Sequence, residues 1–123
     1  MILSDNDDKA HLVIIQPTPF CNIACRYCYL PTAERLMTKR MDEAVLTQII
    51  EGLYAENLMS GQTEIVWHAG EPLTVPISFY ENAIAIINRV RGDKPAPRHV
   101  IQTNATLIND QWCRFIKAHD VII

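Results

Sequence analysis

Apolar and polar positions alternate between two regimes along this chain. Short continuous apolar runs read as buried strands, and longer stretches with apolar residues three and four apart read as helices. After a polar lead-in over residues 1–9, His11-Leu12-Val13-Ile14-Ile15-Gln16 reads as a strand stopped by Pro17 and Pro19. An irregular basic stretch from Thr32 to Arg40 leads to a helix whose inward face is Leu46, Ile49, Ile50 and Leu53, with Asp42 and Glu43 at its positive end. Ser60-Gly61 marks a turn, and Thr63 to His68 reads as a second strand that ends in Ala69-Gly70-Glu71-Pro72. A second helix is expected from about Pro76–Ser78, with Ser78 and Glu81 at capping-box spacing and Phe79, Ala83, Ile86, Ile87 and Val90 facing inward. The connector Gly92 to Pro97 precedes a third strand, His99 to Thr103, closed by Asn104-Ala105. A third helix starts near Asn109 and carries Trp112, Phe115 and Ile116 inward, and Val121-Ile122-Ile123 reads as the beginning of a fourth strand.

Strand, helix, strand, helix, strand, helix, strand is the order of an α/β chain built from βα units, which implies a parallel sheet with right-handed crossovers. In such sheets the chemistry gathers at the carboxyl ends of the strands. The three chemically unusual segments all fall there: the cysteine run Cys21–Cys28, Ala69–Pro72 and Gln102–Asn104. About three and a half βα units do not close a barrel, and a terminal Val-Ile-Ile leaves an apolar edge. The chain therefore reads as part of a longer protein, with a self-contained open sheet as the alternative.

Composition narrows the class. With 49% hydrophobic residues in 123, the chain can bury a core and is not of disordered type. A net charge of −3 supplies no electrostatic footprint for nucleic acid or for an anionic membrane. No apolar run approaches the ~20 residues of a membrane span, and the acidic start lacks the regions of a secretory signal. Clustered thiols without such a signal point to a reducing compartment, the cytoplasm, and to metal chemistry rather than disulfides.

Cys21, Cys25 and Cys28 are spaced C-x3-C-x2-C, so three thiols from one loop can converge on one centre. A structural zinc site wants four protein ligands and an ordinary iron–sulfur cluster four thiolates. Three leave one iron open to an exogenous ligand. The competing reading is zinc held by the same thiols and a histidine such as His68, although the usual paired knuckle is missing. His68 otherwise reads as a core or supporting histidine, Cys113 as a buried helix residue beside Trp112, and Arg35, Lys39 and Arg40 as a solvated basic loop close enough to help dock a partner.

These motifs resemble those of the radical S-adenosylmethionine (SAM) enzymes. The family's cysteine triad has an aromatic residue before its last cysteine, here Tyr27, and a Gly-Gly-Glu-Pro segment after the second strand, here Ala69-Gly70-Glu71-Pro72. Trp67 to Leu73 and Gln102 to Leu107 look like the branch that holds SPASM-type ribosomal-peptide maturases and anaerobic sulfatase-maturating enzymes. The resemblance implies that residues 10–123 are the amino-terminal part of a radical SAM core domain, the first half of a partial (β/α)6 TIM-like barrel. It implies a 4Fe–4S cluster on Cys21, Cys25 and Cys28, and SAM on its open iron. It places Tyr27 by the adenine, Ala69, Gly70, Glu71 and Pro72 along the methionine amino group, and Gln102, Thr103 and Asn104 facing the site. The cofactor carries the hard chemistry and the protein orients and shields it. One electron cleaves SAM to a 5′-deoxyadenosyl radical, which takes a hydrogen atom from a peptide or small-protein side chain. The electron donor would be of flavodoxin or ferredoxin type. Ribosomal-peptide maturation is the first expectation and sulfatase maturation the second. A non-catalytic metal or electron-transfer module is the alternative from another class, and the 123 residues alone are expected to turn over weakly or not at all.

Overall fold

The computed structural model describes residues 8–123, so most of the 1–9 lead-in lies outside the described residues. Three strands form a parallel sheet in the order β1 (Leu12–Ile15), β2 (Glu64–Trp67), β3 (Arg98–Ile101). The connections hold α1 (Thr32–Arg35), α2 (Glu43–Ala55), a single 3₁₀ turn (Pro72–Thr74) and α3 (Ile77–Arg91), and α4 (Asp110–Ala118) follows β3. The alternation expected from the sequence is therefore present, and so is the α/β class.

Each strand is shorter than its apolar run. His68 N–H still donates to Ile15 O (3.1 Å) and Gln102 N–H to Trp67 O (3.0 Å), so the ladder continues past the strand ends. Beyond Gln102 the chain turns away, because Thr103 and Asn104 are drawn to Glu71 instead of to a neighbouring strand. The expected fourth strand is a single parallel bridge, Val100 to Ile122, in which Ile122 N–H donates to His99 O (2.9 Å) and Ile101 N–H to Ile122 O (2.8 Å).

The helices differ from expectation in two places. The stretch read as irregular contains α1, a turn closed by Arg35 N–H on Pro31 O (3.1 Å). The Ser78–Glu81 capping box does not form. Pro76 presets the entry angle, α3 begins at Ile77, and Ser78 is already inside the helix. Two side-chain caps do form: Asp42 accepts from Ala44 N–H (2.8 Å) at α2, and Asn109 accepts from Trp112 N–H (2.9 Å) at α4.

The register places Val13, Ile15, Ile65, Trp67, His99 and Ile101 on one sheet face, and α2, α3 and α4 cover it. Leu46, Ile50 and Tyr54 of α2, Ala83, Ile86 and Ile87 of α3, and Trp112 and Phe115 of α4 complete the core. Tyr80, which helical spacing does not single out beside Phe79, is buried because its hydroxyl finds Pro72 O at 2.7 Å. On the opposite face Leu12 and Ile14 remain 54% and 61% exposed. That is the face a closing barrel turns inward.

Trp67 lies at the centre of the core, edge-on to Phe79 and Tyr80, with its indole N–H donating to Nδ1 of His99 (3.3 Å). Burial, with a smaller contribution from His119, lowers the His99 pKa from 6.5 to about 4. Its sign fixes a pH dependence. Between those values the unfolded chain binds the proton and the folded one does not, so stability is full above pH 6.5 and falls toward pH 4. Urea titrations at pH 7 and pH 5 should differ in this direction, by up to about 1.4 kcal/mol per pH unit from this group. His99→Leu should flatten the slope between about pH 5 and 6.5, where few carboxylates titrate.

Candidate functional site

The cysteine loop leaves β1 under tight backbone control. Thr18 is buried, donates its hydroxyl to Lys39 O (2.6 Å) and accepts from Phe20 N–H (3.1 Å). Met41 N–H donates to Pro17 O (2.7 Å) and Cys21 N–H to Arg35 O (3.0 Å), so the excursion between β1 and α2 is pinned near both ends. Cys21, Cys25 and Cys28 are free and half-buried, and Cys28 N–H donates to Cys25 O (3.2 Å). Among the described residues no three Cys, His, Asp or Glu side chains are already gathered into a metal cage. Tyr27 is 90% exposed, whereas Tyr29 stacks on His68 at the end of β2, ring centres 6.4 Å apart.

The second strand ends in a turn with two successive left-handed residues, Ala69 (φ 73°) and Gly70 (φ 59°). Gly70 packs directly on the β1 exit: a Cβ there would stand 2.5 Å from Thr18 O and 2.6 Å from Phe20 O. Ala69 occupies a conformation that costs a non-glycine residue roughly 1 kcal/mol. This is the physical reason a glycine would suit the position.

Glu71 closes the turn. Its N–H donates to Phe20 O (2.7 Å), and its side chain, 1% exposed, is the most deeply buried carboxylate of the described residues. The carboxylate accepts from Thr103 hydroxyl (2.6 Å), Asn104 N–H (2.7 Å) and Leu73 N–H (3.0 Å). No Lys or Arg among the described residues pairs with it. Backbone and hydroxyl donors alone stabilise the charge, and in doing so they bind the β2 exit to the β3 exit. The same charge, after burial itself, raises the pKa of the Tyr80 hydroxyl. Glu71→Gln replaces one acceptor oxygen with an amide donor that faces these donors, so a loss of about 2–4 kcal/mol is expected in urea unfolding. Thr103→Val should cost about 1–2 kcal/mol, since both backbone donors keep their acceptor.

The structure thus brings Gly70, Glu71, Thr103 and Asn104 together against the cysteine loop. Pro72 is buried beneath them as the start of the 3₁₀ turn, while the Gln102 side chain faces solvent. Two expectations are corrected. Cys113 is exposed, not buried: Trp112 and Phe115 take the inward face of α4, and the residue after Trp112 is turned about 100° away from it. Arg35 is half-buried rather than solvated, and its Nε is buried without a hydrogen-bond partner. One further site residue stands out only in the structure. Asn22, inside the cysteine run, donates to Thr106 Oγ1 (2.9 Å) and accepts from Asn104 Nδ2 (2.9 Å). The only sequence signal for it is a polar amide between two cysteines.

The model of the Radical SAM superfamily matches residues 15–123, nearly the whole described chain. The chain belongs to the radical SAM superfamily. Among curated relatives it is 44% identical over 115 residues to a serine-type anaerobic sulfatase-maturating enzyme of Klebsiella pneumoniae, covering 92% of this chain and 29% of that one. It is 30% identical over 119 residues to a serine-type anaerobic sulfatase-maturating enzyme of Bacteroides thetaiotaomicron, covering 94% and 28%. The chain therefore spans under a third of the length of these relatives. Among solved structures, native anSMEcpe with bound AdoMet and Kp18Cys peptide superimposes with a TM-score of 0.77 at 22% identity, covering 89% of this chain and 30% of that one. The likeness establishes the fold, the first part of a TIM-like radical SAM barrel.

Radical SAM proteins use a 4Fe–4S cluster and SAM, and the residues here fit that pair. Three soft thiols stand unpaired and half-buried in one loop, and soft thiolates select iron–sulfur and zinc centres. Metal ligands are commonly drawn together only as the metal binds, so thiols not yet gathered are compatible with the site. The orphan Nε of Arg35, the residue whose carbonyl holds Cys21, is a buried donor still lacking an acceptor.

Proposed function

We propose that this chain is the cluster- and SAM-holding portion of a radical SAM maturase that modifies a peptide or protein side chain. Residues 10–123 would be the amino-terminal part of its core domain. The observation that carries the proposal is the position of three free thiols at the β1 exit, beside a turn whose Gly70 touches that exit and whose Glu71 fastens the β3 exit.

In this reading Cys21, Cys25 and Cys28 hold the cluster, which when loaded supplies one electron to cleave the sulfonium bond of SAM and so provides the hydrogen-abstracting species. The protein's own part is positional. In the Ala69–Pro72 turn Glu71 O already accepts from Thr74 and Pro72 O from Tyr80, so the carbonyls of Ala69 and Gly70 would be the ones left to meet an ammonium group such as that of methionine, and Glu71 fixes the turn's shape. Asn104 and Thr103 hold the third strand end in register with it. Tyr27, on the exposed side of the loop, would meet the adenine, with Gln102 nearby.

Both sulfatase-maturating relatives named above are of serine type, which favours oxidation of a serine to formylglycine over the ribosomal-peptide maturation that the motif wording first suggested. The partners would be the substrate peptide and a flavodoxin- or ferredoxin-type electron donor in the cytoplasm. No helix among the described residues is long and apolar enough to cross a membrane.

Anaerobic reconstitution with iron and sulfide tests the proposal. A cluster whose electron-paramagnetic spectrum changes when SAM is added supports it. Zinc uptake with no iron incorporation, or a cluster indifferent to SAM, overturns it. Within the proposal, mass spectrometry of a serine-containing sulfatase peptide and of a ribosomal precursor peptide, each incubated with the protein that carries this chain, separates the two substrate classes.

A further inference from the structure

Asn22 stands between the first two cysteines, and both ends of its amide are used. Its Nδ2 donates to Thr106 Oγ1 (2.9 Å) and its Oδ1 accepts from Asn104 Nδ2 (2.9 Å). Asn104 Oδ1 in turn accepts from Thr106 N–H (3.0 Å) and Thr106 hydroxyl (2.8 Å), which closes a three-residue ring of hydrogen bonds. The same Asn104 donates its backbone N–H to the buried Glu71 carboxylate (2.7 Å). A continuous polar chain, Asn22–Asn104–Glu71, therefore crosses from the loop after β1 to the loop after β3 and back to the turn after β2. Nothing in the sequence joins these segments, since Asn22 and Asn104 are 82 residues apart.

We propose that Asn22 is a positioning residue that clasps the cysteine loop to the β3 exit, presetting where Cys21 and Cys25 stand and tying the cluster's seat to the turn proposed to receive SAM. The inference rests on the reading of the three thiols as cluster ligands. Without the clasp, the segment between Cys21 and Cys25 has no hydrogen bond from Asn22 to the rest of the fold, and the cluster must order the loop as it assembles. With it, part of that ordering is already present in the folded chain. The acceptor half of the amide faces Asn104 and the donor half faces Thr106. Asn22→Asp therefore keeps the first bond and loses the second, while Asn22→Ala loses both.

Two measurements on the full chain test this. The first uses no cluster: iodoacetamide labelling of the metal-free chain, read by mass spectrometry at each cysteine. In Asn22→Ala, Cys21 and Cys25 should label several-fold faster than in the parent, with exposed Cys113 as an unchanged internal reference and a parental urea midpoint. The second is iron release to a chelator from the reconstituted chain. Asn22→Ala should lose iron roughly 10- to 100-fold faster, the usual cost of removing a group that orients metal ligands, and its spectral response to SAM should need a higher SAM concentration. Asn22→Asp should lie between parent and Asn22→Ala in both assays. Parental labelling and parental iron release in Asn22→Ala overturn the inference while leaving the cluster assignment intact. If no variant and not even the parent takes up iron, the proposed function fails and this inference falls with it. Equal acceleration at all four cysteines would reveal general unfolding and also count against a local clasp.

Discussion

Gly70→Ala is expected to destabilise the fold by about 2–4 kcal/mol and, on the proposed function, to lower cluster content with it. The added Cβ would lie 2.5 Å from Thr18 O, 2.6 Å from Phe20 O and 2.7 Å from the Pro19 carbonyl carbon. All three are backbone atoms, so no side chain can swing aside and the β1 exit itself must move. Overpacking of this kind costs roughly 1–3 kcal/mol, and the left-handed φ of 59° adds about 1 kcal/mol for a residue with a Cβ. The displaced segment leads straight into Cys21, and Phe20 O would also lose its bond from Glu71 N–H. A control of opposite sign is available in the same chain. Gly52 lies inside α2 with nothing within 4 Å of where a Cβ would stand, so Gly52→Ala should stabilise by up to about 1 kcal/mol. Paired urea titrations decide the matter. A Gly70→Ala protein within about 1 kcal/mol of the parent would show that the β1 exit yields and that Gly70 does not set its position.

The second large effect concerns the thiols. On the proposed ligand assignment, replacing any one of Cys21, Cys25 or Cys28 by Ala should abolish cluster retention, because only two thiolates would remain where an ordinary cluster takes four. Cys113→Ala should take up as much iron and sulfide as the parent, since Cys113 is exposed on α4 with its neighbours Trp112 and Phe115 turned into the core. Iron and sulfide per chain, with the visible absorption of the reconstituted protein, measure both. Iron lost with Cys113→Ala but kept with Cys25→Ala would reverse the ligand assignment. The loaded parent should also bleach in air, as expected of a cluster with an accessible iron.

Most of the frame is readable from local pattern. Apolar runs locate β1, β2 and β3, helical spacing locates α2, α3 and α4, and Asp42 and Asn109 mark two helix starts, because each of these signals acts within a few residues. Pattern and structure part where a different neighbour has the deciding role. Ser78 and Glu81 have the spacing of a cap, but Pro76 begins the helix before them. Tyr80 escapes the pattern because its burial depends on a carbonyl at Pro72 that accepts its hydroxyl. Cys113 faces outward because adjacency to Trp112 in sequence is nearly a right angle on a helix.

For the site, the sequence alone determined the chemistry on offer: three thiols in one short run at the mouth of a strand, a Gly-Glu-Pro turn one βα unit later and a polar segment one unit after that. Thiol spacing is a property of one loop and needs no fold to be seen. What those segments do for one another was decided only in three dimensions. The parallel register sets three strand ends side by side. Burial there leaves the Glu71 carboxylate to be satisfied by Thr103, Asn104 and Leu73, and the same closeness lets Asn22 reach Asn104 and Thr106. A buried charge must take its donors from whatever backbone the fold brings beside it, and no pattern in a linear chain records which backbone that will be.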